Sequence, residues 1–215
     1  MTNPFGNQEK KAGALAFFSF LCCVFISAAF AETKLEVNLD EHLLKIYQDD
    51  VVIKTYPVAY GRGGVGKKIK GDGKTPLGYY YVTSVKKSAA FGFFLHLNYP
   101  NLEDVIDAHK DGILDDQTFE HILSRMTNGM APQNTPLGGY IGIHGLGGKN
   151  PTRLNIHRHF NWTQGCIALT DEEIQDLLNY VSAGTLVVIK GSLQPVEKKP
   201  QPPSTKAIIS QGGSL

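Results

Sequence analysis

Apolar and polar residues alternate along Leu35-Glu36-Val37-Asn38-Leu39, a period of two that predicts a strand with one buried face. Two runs rich in β-formers follow, Leu43 to Tyr47 and Val51 to Ala59, with Gln48-Asp49-Asp50 as the turn between them. They read as a β-hairpin whose second strand ends at a glycine-rich loop, Gly61 to Gly73. Leu77 to Val85 is a further strand, aromatic through Tyr79, Tyr80 and Tyr81. Pro76 and Gly78 at its start predict an edge or bent strand rather than a regular central one. Over residues 101–126 the period changes: Leu102, Val105, Ile106, Ile113, Leu114, Phe119, Ile122 and Leu123 recur at helical spacing, and Gly112 divides them into two short helices. Thr170-Asp171-Glu172-Glu173 is a capping box that opens another helix, with Ile174, Leu177, Leu178 and Val181 as its stripe and Gly184 as its end. Leu186-Val187-Val188-Ile189 reads as a buried closing strand. The whole is β-rich with a few helices.

The ends of the chain depart from this pattern. Ala12 to Phe30 is almost wholly apolar, Lys10 and Lys11 precede it, and Ala29-Phe30-Ala31 supplies the small-x-small pattern of a cleavage site. Residues 1–31 therefore read as a signal peptide, with an uncleaved anchor as the alternative. Either places the remainder across a membrane, in the periplasm or cell envelope. Residues 32–192 form one domain with a helical insertion at 101–128, which suits either a lid over a cleft or a surface decoration. Residues 193–215 turn to Pro, Lys, Gln and Ser and read as a disordered tail.

Export changes the meaning of the cysteines. Cys22 and Cys23 leave with the signal, so Cys166 is the only thiol of the three that remains. An unpaired cysteine in an exported protein points to a reactive thiol, unless it is a small buried hydrophobe. Its neighbours favour reactivity. A cysteine nucleophile needs a base and oxyanion donors. His144, His157 and His159 are the candidate bases. Gly165 permits a tight turn in which the Gly165 and Cys166 amides point together, and the helix opening at Thr170 would lower the thiol pKa through its dipole. His144 sits in Ile143-His144-Gly145 at the end of a β-branched run, whereas His157 and His159 lie in a polar stretch suited to surface or substrate contact.

Ile143-His144-Gly145 followed by Thr163-Gln164-Gly165-Cys166-Ile167 resembles the His-Gly … (Ser/Thr)-x-Gly-Cys signature of L,D-transpeptidase catalytic domains of the YkuD type. Gly71-Asp72-Gly73-Lys74-Thr75-Pro76-Leu77-Gly78 is similar to that family's upstream Gly-Asp-x-x-Thr-Pro-x-Gly segment. The resemblance covers roughly residues 34–190. It implies a β-sandwich-like fold, Cys166 as nucleophile, His144 as general base and the Gly165 and Cys166 amides as oxyanion hole. Gly145, Thr163, Gln164, His157 and His159 are candidate substrate contacts. It also implies peptidoglycan stem peptides as substrates: a thioacyl enzyme forms at Cys166, D-Ala leaves, and an amine, a wall-attached protein or water receives the acyl group. The chain departs from the pattern twice. The His144–Cys166 interval is long, and Ala168 stands where many members carry Arg.

Other classes fit less well. With Glu9, Lys10 and Lys11 set aside, 19 basic and 19 acidic residues remain, which is no nucleic-acid footprint. Gly61-Arg62-Gly63-Gly64-Val65-Gly66-Lys67-Lys68 approaches a P-loop, but Lys68 occupies the position of the Mg²⁺-binding Ser or Thr, so nucleotide is not expected and a mobile basic loop is. Scattered histidines beside one cysteine give no metal-site spacing, and no cofactor is implied. A non-catalytic peptidoglycan-binding module would have no need for Cys166, His144 and Gly165 together.

Overall fold

The computed structural model describes residues 32–126, 131–148 and 150–193. The signal peptide expected over 1–31, the last residues of the 101–128 insertion and all of the expected tail except Leu193 lie outside the described residues.

Strands β1 (Thr33–Asn38), β2 (Leu43–Gln48) and β3 (Val51–Pro57) form an antiparallel meander. The turn between the last two is Asp49-Asp50, both left-handed at φ 48° and 63°, the two-residue geometry that matches strand twist. The closing strand β8 (Leu186–Lys190) runs parallel to β1 on its other side.

Of the two forms that Pro76 and Gly78 suggest, strand β4 (Gly78–Ser88) takes the bent one, and it lies inside the sheet rather than at an edge. Its first residues pair with β8, and from Val82 onward it pairs with β5 (Gly92–Leu97), with a register shift between Val82 and Ser84. A bulge of this kind lets one strand serve two sheet halves, and Gly78 sits at the start, where it costs no pairing. Strand β5 carries no turn signal beyond Gly92 and is defined by its partners.

The short strands β6 (Gly142–His144) and β7 (Ile167–Ala168) complete the order β3-β2-β1-β8-β4-β5-β6-β7. The far ends of this sheet then meet. Beyond β3 the chain runs along the free side of β7, where Ala59 and Ala168 exchange backbone hydrogen bonds of 3.2 and 2.7 Å. The expected sandwich therefore takes the form of one sheet curled over itself. Its interior holds Leu35, Val37, Leu44, Ile46, Tyr80, Leu95, Ile143, Ile167, Leu169, Ile174 and Val187, each 0% exposed. Each such aliphatic contributes roughly 1.5–3 kcal/mol by leaving water.

Helices α1 (Leu102–Lys110) and α2 (Asp116–Met126) form the insertion, separated at Gly112 (φ 71°) as its sequence predicts. Helix α3 (Pro151–His159) is not marked by apolar periodicity. Its start signals are local, an Asn150 cap and Pro151 in the first turn. Helix α4 (Asp171–Leu177) has the predicted Thr170/Glu173 capping box but ends before Val181, with Leu178 as its C-cap.

The insertion is fastened to β4. Tyr80 donates to Asp104 Oδ1 at 2.9 Å and Asn101 Nδ2 donates to Tyr79 O at 2.9 Å. Burial pushes the Asp104 carboxyl up to about 6, against the hydrogen bonds from Asn101 and Tyr80. In the folded chain Asp104 thus holds its proton above the pH at which the unfolded chain releases it, so its contribution to stability falls as pH rises from about 4 to about 6. The shift corresponds to about 3 kcal/mol. Denaturant unfolding should show this loss across pH 4–6, and Asp104→Asn should flatten it.

Candidate active site

The parallel register of β6 and β7 sets Ile143 opposite Ile167 and His144 opposite Ala168. Side chains alternate along a strand, so Ile143 and Ile167 point into the core. His144 and Ala168 share the other face, and Cys166 immediately precedes β7 with its sulfur beside the Gly142 backbone. The sequence candidates for nucleophile and base are thus on neighbouring segments, His144 within β6 and Cys166 directly before β7. The thiol donates to Tyr140 O at 3.5 Å.

The turn that presents Cys166 is held from within. Thr163 is 3% exposed; its hydroxyl donates to Cys166 O at 2.6 Å and accepts from the Gly165 amide at 3.1 Å. Thr163 also joins the sheet closure, with its N–H on Tyr60 O at 3.1 Å and its carbonyl accepting Arg62 N–H at 2.9 Å. Thr163 therefore clips the turn that carries Cys166. The Gly165 amide, expected in the oxyanion hole, is committed to that hydroxyl here. Gly165 has φ 127°, and a Cβ there would lie 2.5 Å from Lys74 O. Conformation and space both require glycine.

Lys74 belongs to Gly71–Gly78, which forms the floor beneath the turn. Thr75 is fully buried and accepts Gly61 N–H at 2.9 Å. Asp72 accepts from the amides of Lys68, Ile69 and Lys74 and from Lys67 Nζ at 2.8 Å. The Lys67–Asp72 pair is well buried, at 4% and 11% exposure. The loop expected to be mobile is thus tied at a carboxylate hub. The sequence resemblance includes Asp72 but not Lys67, whose partner is visible only in three dimensions.

His144 is 2% exposed. Its ring packs against Phe91 at 4.2 Å, Phe94 at 5.7 Å and, edge-on, Trp162 at 5.8 Å between centroids. Nδ1 lies 2.8 Å from Gly145 O. A carbonyl can only accept, so Nδ1 carries the proton and Nε2 is left as the basic nitrogen. Phe91 and Phe94 carry no local functional signal, because their role depends on β5 lying beside β6.

Burial governs the electrostatics. It pulls the His144 imidazole down to about 4, opposed by the Gly145 carbonyl and assisted by the nearby His157. It pushes the Cys166 thiol up to about 11, opposed by the Gly142 backbone and the Lys67 ammonium. The residue as a whole stays partly exposed, so desolvation of the sulfur gives the direction and water limits its extent. Ile167, Ala168 and Leu169 separate the thiol from the α4 cap, and a helix dipole acts mainly within its first turn. Both shifts favour the neutral thiol and the neutral imidazole.

The other candidates are divided. Gln164 is exposed beside the turn. Gly145 is buried, and a Cβ there would lie 2.6 Å from Asp171 Oδ1 and 2.7 Å from Phe91 O, so it serves close packing. His157 is buried on α3, while the exposed His159 returns Nδ1 to Asn155 O of its own helix at 2.8 Å. Neither replaces His144 in the β6–β7 pair. Among the described residues no group of three His, Cys, Asp or Glu could hold a metal ion.

Replacing Thr163 by Val removes a hydroxyl that serves two buried backbone groups. Denaturant unfolding should show a loss of about 1–3 kcal/mol, with Thr163→Ser retaining most of the stability.

The family model of the L,D-transpeptidase catalytic domain, YkuD, matches residues 32–189. A search among curated proteins finds no match. Among solved structures, the helical cell shape determining protein Pgp2 from Campylobacter jejuni is 22% identical with a TM-score of 0.51, over 77% of this chain and 50% of that one. Bd1075 from Bdellovibrio bacteriovorus is 20% identical with a TM-score of 0.49 over 77% and 50%. An L,D-transpeptidase from Mycobacterium smegmatis is 12% identical with a TM-score of 0.44 over 74% and 59%. This chain thus spans half to about three fifths of the solved chains named. Its motifs in order, its curled sheet and the matched length agree: the chain belongs to the L,D-transpeptidase catalytic domain family, YkuD.

Proposed function

We propose that this protein is an exported cell-envelope enzyme that acts on peptidoglycan tetrapeptide stems through a thioacyl intermediate at Cys166. The reading rests on the β6–β7 pairing, which sets His144 opposite Ala168 two residues after Cys166, and on the contact of His144 Nδ1 with Gly145 O. The signal-like segment before Glu32 supports export.

The chemistry follows from a pair that starts neutral. As Cys166 Sγ attacks the carbonyl at the L-centre of diaminopimelate, its proton passes to His144 Nε2. A high thiol pKa and a low imidazole pKa make the separated charges costly at rest, so the transfer belongs to the attack itself. The tetrahedral oxyanion needs backbone donors. The Gly165 amide can join them once Thr163 Oγ1 gives it up. Collapse breaks the C–N bond, and the imidazolium gives its proton to the departing D-Ala amine. An acceptor amine then adds to the thioester, loses a proton to His144 and displaces the Cys166 thiolate, which regains that proton.

The chain incubated with defined tetrapeptide muropeptides should release D-Ala and yield cross-linked dimers by mass, and Cys166→Ala should do neither. Release without dimers would assign water as the acceptor; no product from either protein removes the reading. His144→Ala should lower the rate of D-Ala release by roughly 10²–10⁴-fold. Alkylation of Cys166 by iodoacetamide should rise continuously from pH 6 to pH 9. A flat, fast rate across that range would reveal a preformed thiolate and overturn the neutral pair.

A further inference from the structure

His144 is oriented by a backbone carbonyl, and that carbonyl sits in a stretch with little stiffness of its own. Gly145-Leu146-Gly147-Gly148 follows β6, with Gly147 at φ 78° and Gly148 at φ 114°. Glycine has more backbone conformations open to it than any other residue, so the direction of Gly145 O must be set from outside. On the amino side, the Gly145 amide donates to Phe93 O of β5 at 3.3 Å. On the carboxyl side the fastening comes from Asp171, the first residue of α4. Asp171 Oδ1 accepts the Gly147 amide at 2.8 Å, and Oδ2 accepts the Gly148 amide at 2.6 Å. The Leu146–Gly147 peptide is held at its other end as well, because Arg153 Nη1 of α3 donates to Leu146 O.

A base that serves a nucleophile is commonly oriented by a third group. Here that group is a neutral carbonyl 2.8 Å from Nδ1, and its aim depends on the peptides beside it. We propose that Asp171 is a positioning residue for His144, acting through the Gly145 carbonyl, an inference that rests on His144 serving as general base. The carboxylate takes two consecutive amides and so fixes the peptides that follow Gly145. With the Gly145 amide on β5, the peptide that carries Gly145 O is braced on both sides. Nδ1 then keeps its proton, and Nε2 stays free to accept one. Without the carboxylate the two glycines would turn, the carbonyl would swing away from Nδ1, and part of the population would carry the proton on Nε2. An Nε2 that already holds a proton cannot take one from the thiol. An acidic residue also suits the start of α4 through the helix dipole. The cap itself does not need Asp171, because its bonds run between Thr170 and Glu173. The Asp171 carboxylate is thereby left to the loop.

Full-length protein labelled with ¹⁵N-histidine should show His144 protonated at Nδ1 at pH 7, read from long-range ring couplings, with His144→Ala assigning the signal. Asp171→Ala should move part of the population to the Nε2–H tautomer. It should also lower D-Ala release by about 10²-fold, the scale of a misplacement of about 1 Å. Asp171→Asn keeps the shape and one acceptor oxygen and should shift the tautomer less. Glu172→Gln removes an exposed charge from the same helix turn, outside the loop contacts, and should leave tautomer and rate as they are. A ring that stays protonated at Nδ1 in Asp171→Ala, or in Asp171→Asn if the alanine variant does not fold, would overturn the proposal. An equal shift in Glu172→Gln would overturn it too, by assigning the effect to the helix charge. A tautomer shift in a protein whose unaltered form releases no D-Ala would instead remove acyl transfer and leave the Asp171 clamp standing.

Discussion

Two residues of β7 hold the architecture of the site together. Ile167 and Ala168 pair with β6 on one side and with the chain beyond β3 on the other, so the curled sheet closes at the residues that follow Cys166. Closure fixes Cys166 in three ways. It anchors the following strand, places the turn over the Gly71–Gly78 floor, and brings Tyr60 and Arg62 onto Thr163. A disturbance of that closure would reach the thiol through covalent neighbours, with no long relay needed.

The same burial that makes the site rigid sets its electrostatics. Phe91, Phe94 and Trp162 surround His144, and the desolvation they impose outweighs the carbonyl that favours its charged form. Desolvation likewise outweighs Lys67 at the thiol. Burial thus disfavours a thiolate at rest, and the contact with Gly145 O fixes the His144 tautomer. Lys67 and Asp72, paired within the floor, stiffen the loop on which the turn rests.

Much of this was legible along the chain. Alternation marked β1, the Asp49-Asp50 turn marked the hairpin, helical spacing with Gly112 marked the insertion, and the Thr170 capping box marked α4. Cys166, His144, Gly165 and the Gly-Asp-x-x-Thr-Pro segment stood out through residue type and order. Strand β5 and helix α3 did not. An apolar run such as Gly92–Leu97 has no period to separate strand from core helix, and α3 is short, polar and marked mainly by its cap. The inner placement of β4 also escaped, because Pro76 precedes the pairing and Gly78 only opens it opposite Ile189, which leaves the strand's centre undisturbed.

What the sequence by itself determined was local: which segments form most of the strands and helices, and which residue types stand at the site. Tertiary structure decided what those residues face. Thr163 is a candidate substrate contact in sequence, and closure of the sheet buries it and turns its hydroxyl onto Gly165 and Cys166. The helix after Cys166 looks like a source of thiol acidity until β7 is seen to intervene, and burial, a property of the whole packing, raises the thiol instead. Hydrogen-bond partners and desolvation depend on segments distant in the chain, and spacing alone carries no information about them.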